Sequence, residues 1–379
     1  MLSAVAQRAG LRPLWADIDL GAVRHNLARL RARAPGRRVI AVVKGGAYGH
    51  GAVRVARTLA AAGCEAFGVA MLDEALELRA AGLALPILLL QGLHDPAEAD
   101  TALEARLWPA VSRPSALEPL AAAARRAGRR FPLHLKIDTG MGRLGMQPGE
   151  LAGVLDRLKA APELELSGVM THLADAEDLA SPEPARQRAR FTELVNTVRE
   201  RGFRPDWLHV DNSGGILRGP TPGTTAVRPG ISLYGIDPTQ QSGLGLEPVM
   251  TLRTRVIHAK DVPAGTRIGY GGTFCAPGPT RILTVPVGYA DGLPRAASNR
   301  FSVGLASSGR LRLVGRVSMD TATLDAGPDS NADVGDEVVI FGRAGTLLVP
   351  VEELATAADT VAYEILSRIG PRVPRVERG

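Results

Sequence analysis

The sequence predicts an α/β protein: a TIM (β/α)8 barrel with an N-terminal strand and helix extension over residues 1–246, then a C-terminal mainly-β domain with a terminal helix over residues 247–379. Three observations carry that expectation. Between residues 38 and 235 short β-branched runs alternate with amphipathic stretches about eight times, the signature of successive βαβ units. Near residue 247 the alternation gives way to short strands separated by Gly and Pro turns. A chain of 379 residues is also too long for one small core, and it suits a large domain plus a second.

The elements follow in order. ADIDLGAVRHNL near the N-terminus supplies an outlying strand and a helix. RVIAVVK is the first barrel strand and leads to an Ala-rich helix from Gly51 to Gly63; AFGVA leads to LDEALELRAAG, and PILLLQG to a helix near residues 97–106. LWPAVS precedes RPSALEPLAAAARRAG, FPLHLKIDTG precedes PGELAGVLDRLKAAP, and LELSGVMTHLAD precedes a long helix within residues 183–202. WLHVDNS and AVRPGISLYG complete the series. An open Rossmann sheet is the alternative, but no G-x-G-x-x-G follows the first strand. The second domain runs from MTLRTRVIHAKDV to DVGDEVVIFGR, and PVEELATAADTVAYEILSRIG reads as its terminal helix.

Composition narrows the function classes. With 45% hydrophobic and 22% charged residues the chain is an ordinary globular one. No apolar run is long enough to span a bilayer, and the first residues lack the basic start and apolar core of a signal peptide, so a cytoplasmic protein without a membrane partner is expected. Cys64 and Cys275 lie far apart and match no metal spacing, which fits a reducing compartment. The net charge of +6 is spread along the chain, and aromatic content is only 4%, too little for base-stacking platforms, so no nucleic-acid partner is expected.

Lysine occurs only at Lys44, Lys136, Lys159 and Lys260, whereas arginine is abundant. An amine can lose its proton when buried and attack a carbonyl; a guanidinium cannot. Lys159 reads as a solvated helix position, but Lys44 and Lys136 both stand at strand ends. Active sites of such barrels lie at the C-terminal ends of the strands. Here those ends carry Lys44 and Tyr48; Lys136, Asp138 and Arg143; His172; His209, Asn212 and Ser213; and Arg228 and Gly230. Any one of these is an ordinary residue; five strand ends together form a pattern. A strand-end lysine beside a glycine-rich loop can form a Schiff base. Ser213 with the RPGI stretch offers a hydroxyl and backbone N–H groups, as a phosphate site needs. No acidic cluster or Cys/His spacing suggests a metal. Schiff-base lysine plus phosphate cradle points to pyridoxal 5'-phosphate (PLP), although a Schiff-base aldolase on the same barrel would share both features.

The motifs AVVKGGAYGHG, KIDTGMGRLG, HVDNSGG, VRPGISLYG, GYGGTF, PVGYADG and GRVSMD, in this order over nearly the whole chain, resemble the alanine racemase family of fold-type III PLP enzymes. The resemblance implies a homodimer with shared active sites that interconverts L- and D-alanine, with D-alanine serving peptidoglycan. Lys44 matches the lysine that holds PLP. Tyr48, Ser213, Gly230, Ile231 and Tyr363 match phosphate-binding positions, with His172 and Asn212 also beside the cofactor. Arg228 matches the residue facing the pyridine nitrogen, and His209 its supporting partner. Lys136 matches a lysine often carbamylated in the family, where the carbamate positions the arginine matched by Arg143, which contacts cofactor and substrate carboxylate. Met319 falls where a partner's backbone N–H also binds that carboxylate, with Asp320 beside it; Tyr289 lines the entrance. Tyr270 matches the second base, donated by the partner. One departure stands out: Gly45 and Gly46 replace the family's usual Ala-Asn, so cofactor retention or turnover is expected to fall below that of a Gly46→Asn variant.

Within enzymes, the alternative is a related racemase acting on serine or basic amino acids. A fold-type III decarboxylase is disfavoured, since Cys275 in GTFCAPG does not match the cysteine motif of those enzymes. A non-catalytic PLP-binding protein is a reading from a different class. Such proteins usually consist of the barrel alone, whereas this chain keeps the β-domain and Tyr270.

Overall fold

Strands covered on both faces are mainly apolar, and the barrel runs between residues 38 and 227 follow that rule apart from Arg38, His134, Lys136, Glu165, Ser167 and His209. The computed structural model describes residues 12–305 and 309–379. Two units divide the described chain: Val23–Ala47 with Ala52–Glu247, and the described residues up to Ala22 with Tyr48–Gly51 and those from Pro248 onward.

β1 (Leu14–Asp19) belongs to the second unit. In the first, β2 (Arg38–Val42), β3 (Ala66–Val69), β4 (Ile87–Leu89), β5 (Leu107–Val111), β6 (Phe131–Lys136), β7 (Leu164–Met170), β8 (Trp207–His209) and β9 (Ala226–Val227) pair in parallel, in sequence order. Pairing of Arg38 with Ala226 closes the ring. The expected eight-stranded barrel is therefore present, with helices such as Ala52–Ala61, Leu117–Ala127 and Glu183–Glu200 between the strands. Period-two alternation sends every second side chain into the barrel. Ile40, Ala66, Leu88, Ala110, Met170, Trp207 and Ala226 form one interior cluster, with Leu90 and Trp108 packed against it. β6 places a polar side chain, His134, against this filling, stacked on Trp108 at 5.1 Å.

The second unit is a long mixed sheet. β10 (Met250–Arg255), β11 (His258–Val262), β14 (Thr280–Val285), β15 (Ser302–Leu305), β16 (Gly309–Val314), β17 (Ala322–Gly327), β18 (Glu337–Ala344) and β20 (Arg375–Arg378) join β1 in the order β11-β14-β17-β16-β15-β18-β10-β1-β20. β19 (Leu347–Val349) pairs with β18, while β12 (Arg267–Ile268) and β13 (Phe274–Cys275) form a separate ribbon. The outlying strand β1 thus pairs antiparallel with β10 and parallel with β20. The single terminal helix read from the sequence is two, Val351–Ala357 and Ala362–Ser367. Asp359 between them adopts a left-handed backbone (φ 57), and Val361 is extended, so the helical hydrogen-bond ladder cannot continue across them. Among the described residues no helix is long and apolar enough to cross a membrane, and no His/Cys/Asp/Glu group could hold a metal.

Candidate active site

Lys44 follows β2 directly, and the backbone after it turns left-handed at four consecutive residues: Gly45 (φ 63), Gly46 (φ 61), Ala47 (φ 56) and Tyr48 (φ 53). A left-handed residue with a Cβ costs about 1–2 kcal/mol, which glycine avoids. The double glycine therefore has a backbone reason, and neither glycine would press a Cβ against anything within 4 Å. The turn is tied at both ends. Ala47 N–H donates to the Val43 carbonyl at 2.8 Å, and Gly45 N–H donates to Glu74 Oε1 at 2.5 Å. Glu74 Oε2 meanwhile accepts from Ala70 N–H at 2.7 Å, after β3. Desolvation, then the charge of Arg143, lowers the pKa of the Lys44 amine; Glu74 opposes this, and Arg228 adds a lesser lowering effect.

Lys136 ends β6, is nearly buried, and donates to the Leu90 carbonyl at 3.0 Å. Burial, then Arg228, Arg143 and Lys44, bring its pKa down to about 8, opposed by Asp138. The loop that follows is organised by Asp138, whose carboxylate accepts from the N–H groups of Gly140, Met141 and Gly142. Gly145 closes the loop; a Cβ there would lie 2.6 Å from the Asp138 nitrogen. Arg143 is exposed on this loop.

Arg228 is buried just after β9, and its guanidinium is almost fully engaged. Nη1 donates to the His209 carbonyl (2.9 Å) and to His209 Nδ1 (2.8 Å), and Nη2 to the carbonyls of Thr171 (2.7 Å) and Val210 (2.9 Å), with His172 Nδ1 at 3.3 Å. A guanidinium carries five N–H donors. Four are thus turned to the protein and Nε–H remains. Burial brings the Arg228 pKa down to about 10, partly offset by Asp211. Burial, then Arg228, holds His172 and His209 well below the ordinary imidazole range, so both are neutral.

Asn212 caps the short helix Ser213–Leu217 by accepting from Gly215 N–H at 3.0 Å. Side chains at Gly214 and Gly215 would collide, with Cβ atoms 2.9 Å from Ala176 backbone and 2.9 Å from Asp211 Oδ1. Ser213 Oγ accepts from the N–H groups of Gly230 (3.0 Å) and Ser232 (3.2 Å), where the 3-10 turn Ile231–Tyr234 begins. Ser232 is buried, and its Oγ has no hydrogen-bond partner among the described residues.

The second unit holds the remaining expected residues. The Tyr48 and Tyr363 rings lie 6.2 Å apart, and Gly49 beside them approaches Leu366 so closely that a Cβ would lie 2.3 Å from its carbonyl oxygen. Tyr289 and Met319 are brought together: Tyr289 N–H donates to the Ser318 carbonyl (3.1 Å), Ala290 N–H to the Met319 carbonyl (3.0 Å), and Gly288 leaves room for the crossing. Asp320 accepts from Arg372 at 2.6 Å. Tyr270 starts a turn after β12, supported by Gly269 against the Arg316 backbone. Three of these side chains are unusually open for their type: Tyr270 is 71% exposed, Met319 53% and Tyr289 45%.

Family models for the N-terminal and C-terminal domains of alanine racemase match residues 18–238 and 249–377. This chain belongs to the alanine racemase family. The alanine racemase of Desulforamulus reducens is 42% identical over 97% of this chain and 99% of its own length. That of a D-cycloserine-producing Streptomyces lavendulae superposes with a TM-score of 0.92 at 41% identity, covering 97% of both chains. The alanine racemase of Bartonella henselae, solved with covalently bound PLP, superposes with a TM-score of 0.88 at 31% identity, over 97% of this chain and 99% of that one. As a family member the chain is a PLP-dependent isomerase.

The barrel residues fit PLP on their own chemistry. An amine with a lowered pKa suits the aldehyde, a donor-only guanidinium with Nε–H to spare suits a pyridine nitrogen, and Ser213 with two helical N-termini suits a phosphate. The orphan Ser232 hydroxyl adds one more donor at that cradle. Sequence reasoning missed three participants: Glu74, Ser232 and His134. His134 could have been found, since it stands two residues before Lys136 and so shares its face of β6. Glu74 could not, because its role depends on the packing of β2 against β3.

Proposed function

We propose that the chain interconverts L- and D-alanine by moving the Cα proton between two bases on opposite faces, Lys44 and the Tyr270 of a second copy. The observation that carries this reading is Lys44: a strand-end amine held by a left-handed turn, desolvated, and depressed in pKa beside two guanidinium groups. Such an amine gives up and takes back a proton near neutral pH more readily than a solvated lysine. When bound, PLP supplies an electron sink for the negative charge that develops at Cα. Ser213, Gly230, Ile231, Tyr48 and Tyr363 would hold its phosphate, with His172 and Asn212 beside it. Arg228 would donate to the pyridine nitrogen and keep it unprotonated, which would restrain charge delocalisation and so disfavour transamination.

Arg143 and the Met319 N–H of the second copy orient the substrate carboxylate, with Asp320 supporting and Tyr289 at the entrance. The exposure of Tyr270, Met319 and Tyr289 supports a homodimer, since a side chain that serves another subunit stands open on its own. Lys136 is set up for carbamylation. With a pKa of about 8 roughly a tenth of it is neutral at pH 7. Conversion to an anion would also relieve its repulsion from Arg228, Arg143 and Lys44. The product, D-alanine, would serve peptidoglycan synthesis in the cytoplasm.

The test is to incubate PLP-loaded protein separately with L-alanine, L-serine, L-lysine and L-arginine and to resolve the enantiomers by chiral chromatography. Mainly D-alanine is expected. An excess of D-serine or D-lysine would replace the substrate, and no D-product with PLP bound would leave a binding protein.

A further inference from the structure

Seven of the eight barrel strands fill the interior with Ile, Ala, Leu, Met or Trp. β6 instead sends in His134, fully buried against Trp108 and Trp207. The architecture makes room for it. A register shift between β6 and β7 sets Gly168 opposite His134, and a Cβ at Gly168 would lie 2.5 Å from His134 Nδ1. His134 Nδ1 is 2.9 Å from His209 Nε2, and His209 Nδ1 is 2.8 Å from Arg228 Nη1. His134 Nε2, in contrast, is buried with no hydrogen-bond partner among the described residues. An unpaired buried donor is unfavourable, and an apolar side chain would fill the space without that penalty.

The direction of this chain of hydrogen bonds is dictated from one end. Arg228 can only donate, so His209 Nδ1 must accept. A neutral His209 then carries its proton on Nε2 and donates it to His134 Nδ1, and a neutral His134 carries its own proton on the orphan Nε2. Any other tautomer sets two donors or two lone pairs face to face. Both rings are neutral for one reason, burial reinforced by Arg228 and by Arg38, which lies over Trp207; His134 is pushed down to about 3.

We propose that His134 is a positioning residue: by accepting from His209 Nε2–H it locks His209 as an acceptor for Arg228 and so holds the guanidinium aimed at the cofactor's pyridine nitrogen. This rests on the proposed role of Arg228. A wild-type chain that failed to racemise alanine would remove that role and leave the tautomers still to be read.

Two measurements test it. In protein labelled with 15N-histidine, two-bond 1H–15N correlations should show His134 and His209 as neutral Nε2–H tautomers from about pH 5.5 to 8.5, in apoprotein and holoenzyme alike. Either ring found as Nδ1–H or doubly protonated overturns the proposal. His134→Leu removes the acceptor, whereas His134→Gln keeps an oxygen in reach. The Leu variant should lose the single His209 tautomer, shift the pH dependence of the bound cofactor's visible absorption, and lower kcat about tenfold with KM changed less than about twofold. The Gln variant should recover kcat to within about threefold of wild type. Equal loss of thermal stability in both variants, with His209 and the cofactor spectrum unchanged, would reduce His134 to packing. Should the Leu variant not fold, the wild-type tautomers and the Gln variant still decide.

Discussion

At the scale of single residues, the site is governed by how burial treats a positive charge. Lys136 has a folded-state pKa of about 8 against 10.5 for the solvated group. The unfolded chain therefore binds its proton more tightly, and folding is penalised wherever the lysine must stay charged. Stability of carbonate-free apoprotein should rise by roughly 1–3 kcal/mol between about pH 8 and 10.5, and that rise should shrink in Lys136→Met. Denaturant midpoints measured across the window check this, and parallel curves for the two proteins would refute it. Under 13C-bicarbonate, a carbamate carbonyl signal present in wild type and absent from Lys136→Met would report the modification. Arg228 is held by backbone carbonyls and by the imidazoles of His209 and His172, and its charge sets what it can do at the pyridine nitrogen: Arg228→Glu should raise transamination relative to racemisation, measured as pyridoxamine phosphate formed per D-alanine. An unchanged ratio would show that the guanidinium does not set reaction choice.

At the scale of elements, the left-handed turn after β2 is the most specific local device. Its backbone angles, not its side chains, are what the two glycines serve. Gly45→Val should destabilise the turn by about 1–2 kcal/mol and accelerate PLP loss in dialysis, because a β-branched residue resists positive φ. Gly46→Asn enters open space and a conformation asparagine tolerates, and it should retain PLP at least as well as the present sequence. Slower dissociation from the Gly46→Asn variant would mean that a side chain, not backbone ease, limits retention here; a dissociation rate equal to wild type would mean that the glycines cost nothing. Much of this level is legible in the sequence. The strands are, because two-sided burial makes their runs mainly apolar and β-branched. The break in the terminal helix is not legible, because its amphipathic pattern continues across Asp359 and Val361 while the helical backbone does not.

At the level of assembly, the exposed Tyr270, Met319 and Tyr289 are the basis of the proposed homodimer. Sedimentation should give a species of about twice 39.9 kDa. Lys44→Ala and Tyr270→Phe should each be nearly inactive alone. When the two are unfolded and refolded together, half the dimers are mixed and one of their two sites has both bases, so about a quarter of wild-type activity should return. No recovery, with mixed dimers demonstrated, would place both bases on one chain.

The barrel and the β-rich second unit are written in the hydrophobic period of the chain, which is local and survives any packing. The candidate site residues are legible for the same reason, because Lys44, Lys136, His172, His209, Ser213 and Arg228 stand at or just after strand ends, with Arg143 on the loop that follows β6. Other features exist only because the fold brings together neighbours far apart in the chain. Glu74 tying the turn after Lys44, Ser213 gathering the N–H groups of Gly230 and Ser232, and the direction of the His134–His209–Arg228 hydrogen bonds are of this kind. A residue's chemistry is written in its type, but its protonation and its partner are set by which strands the ring brings side by side.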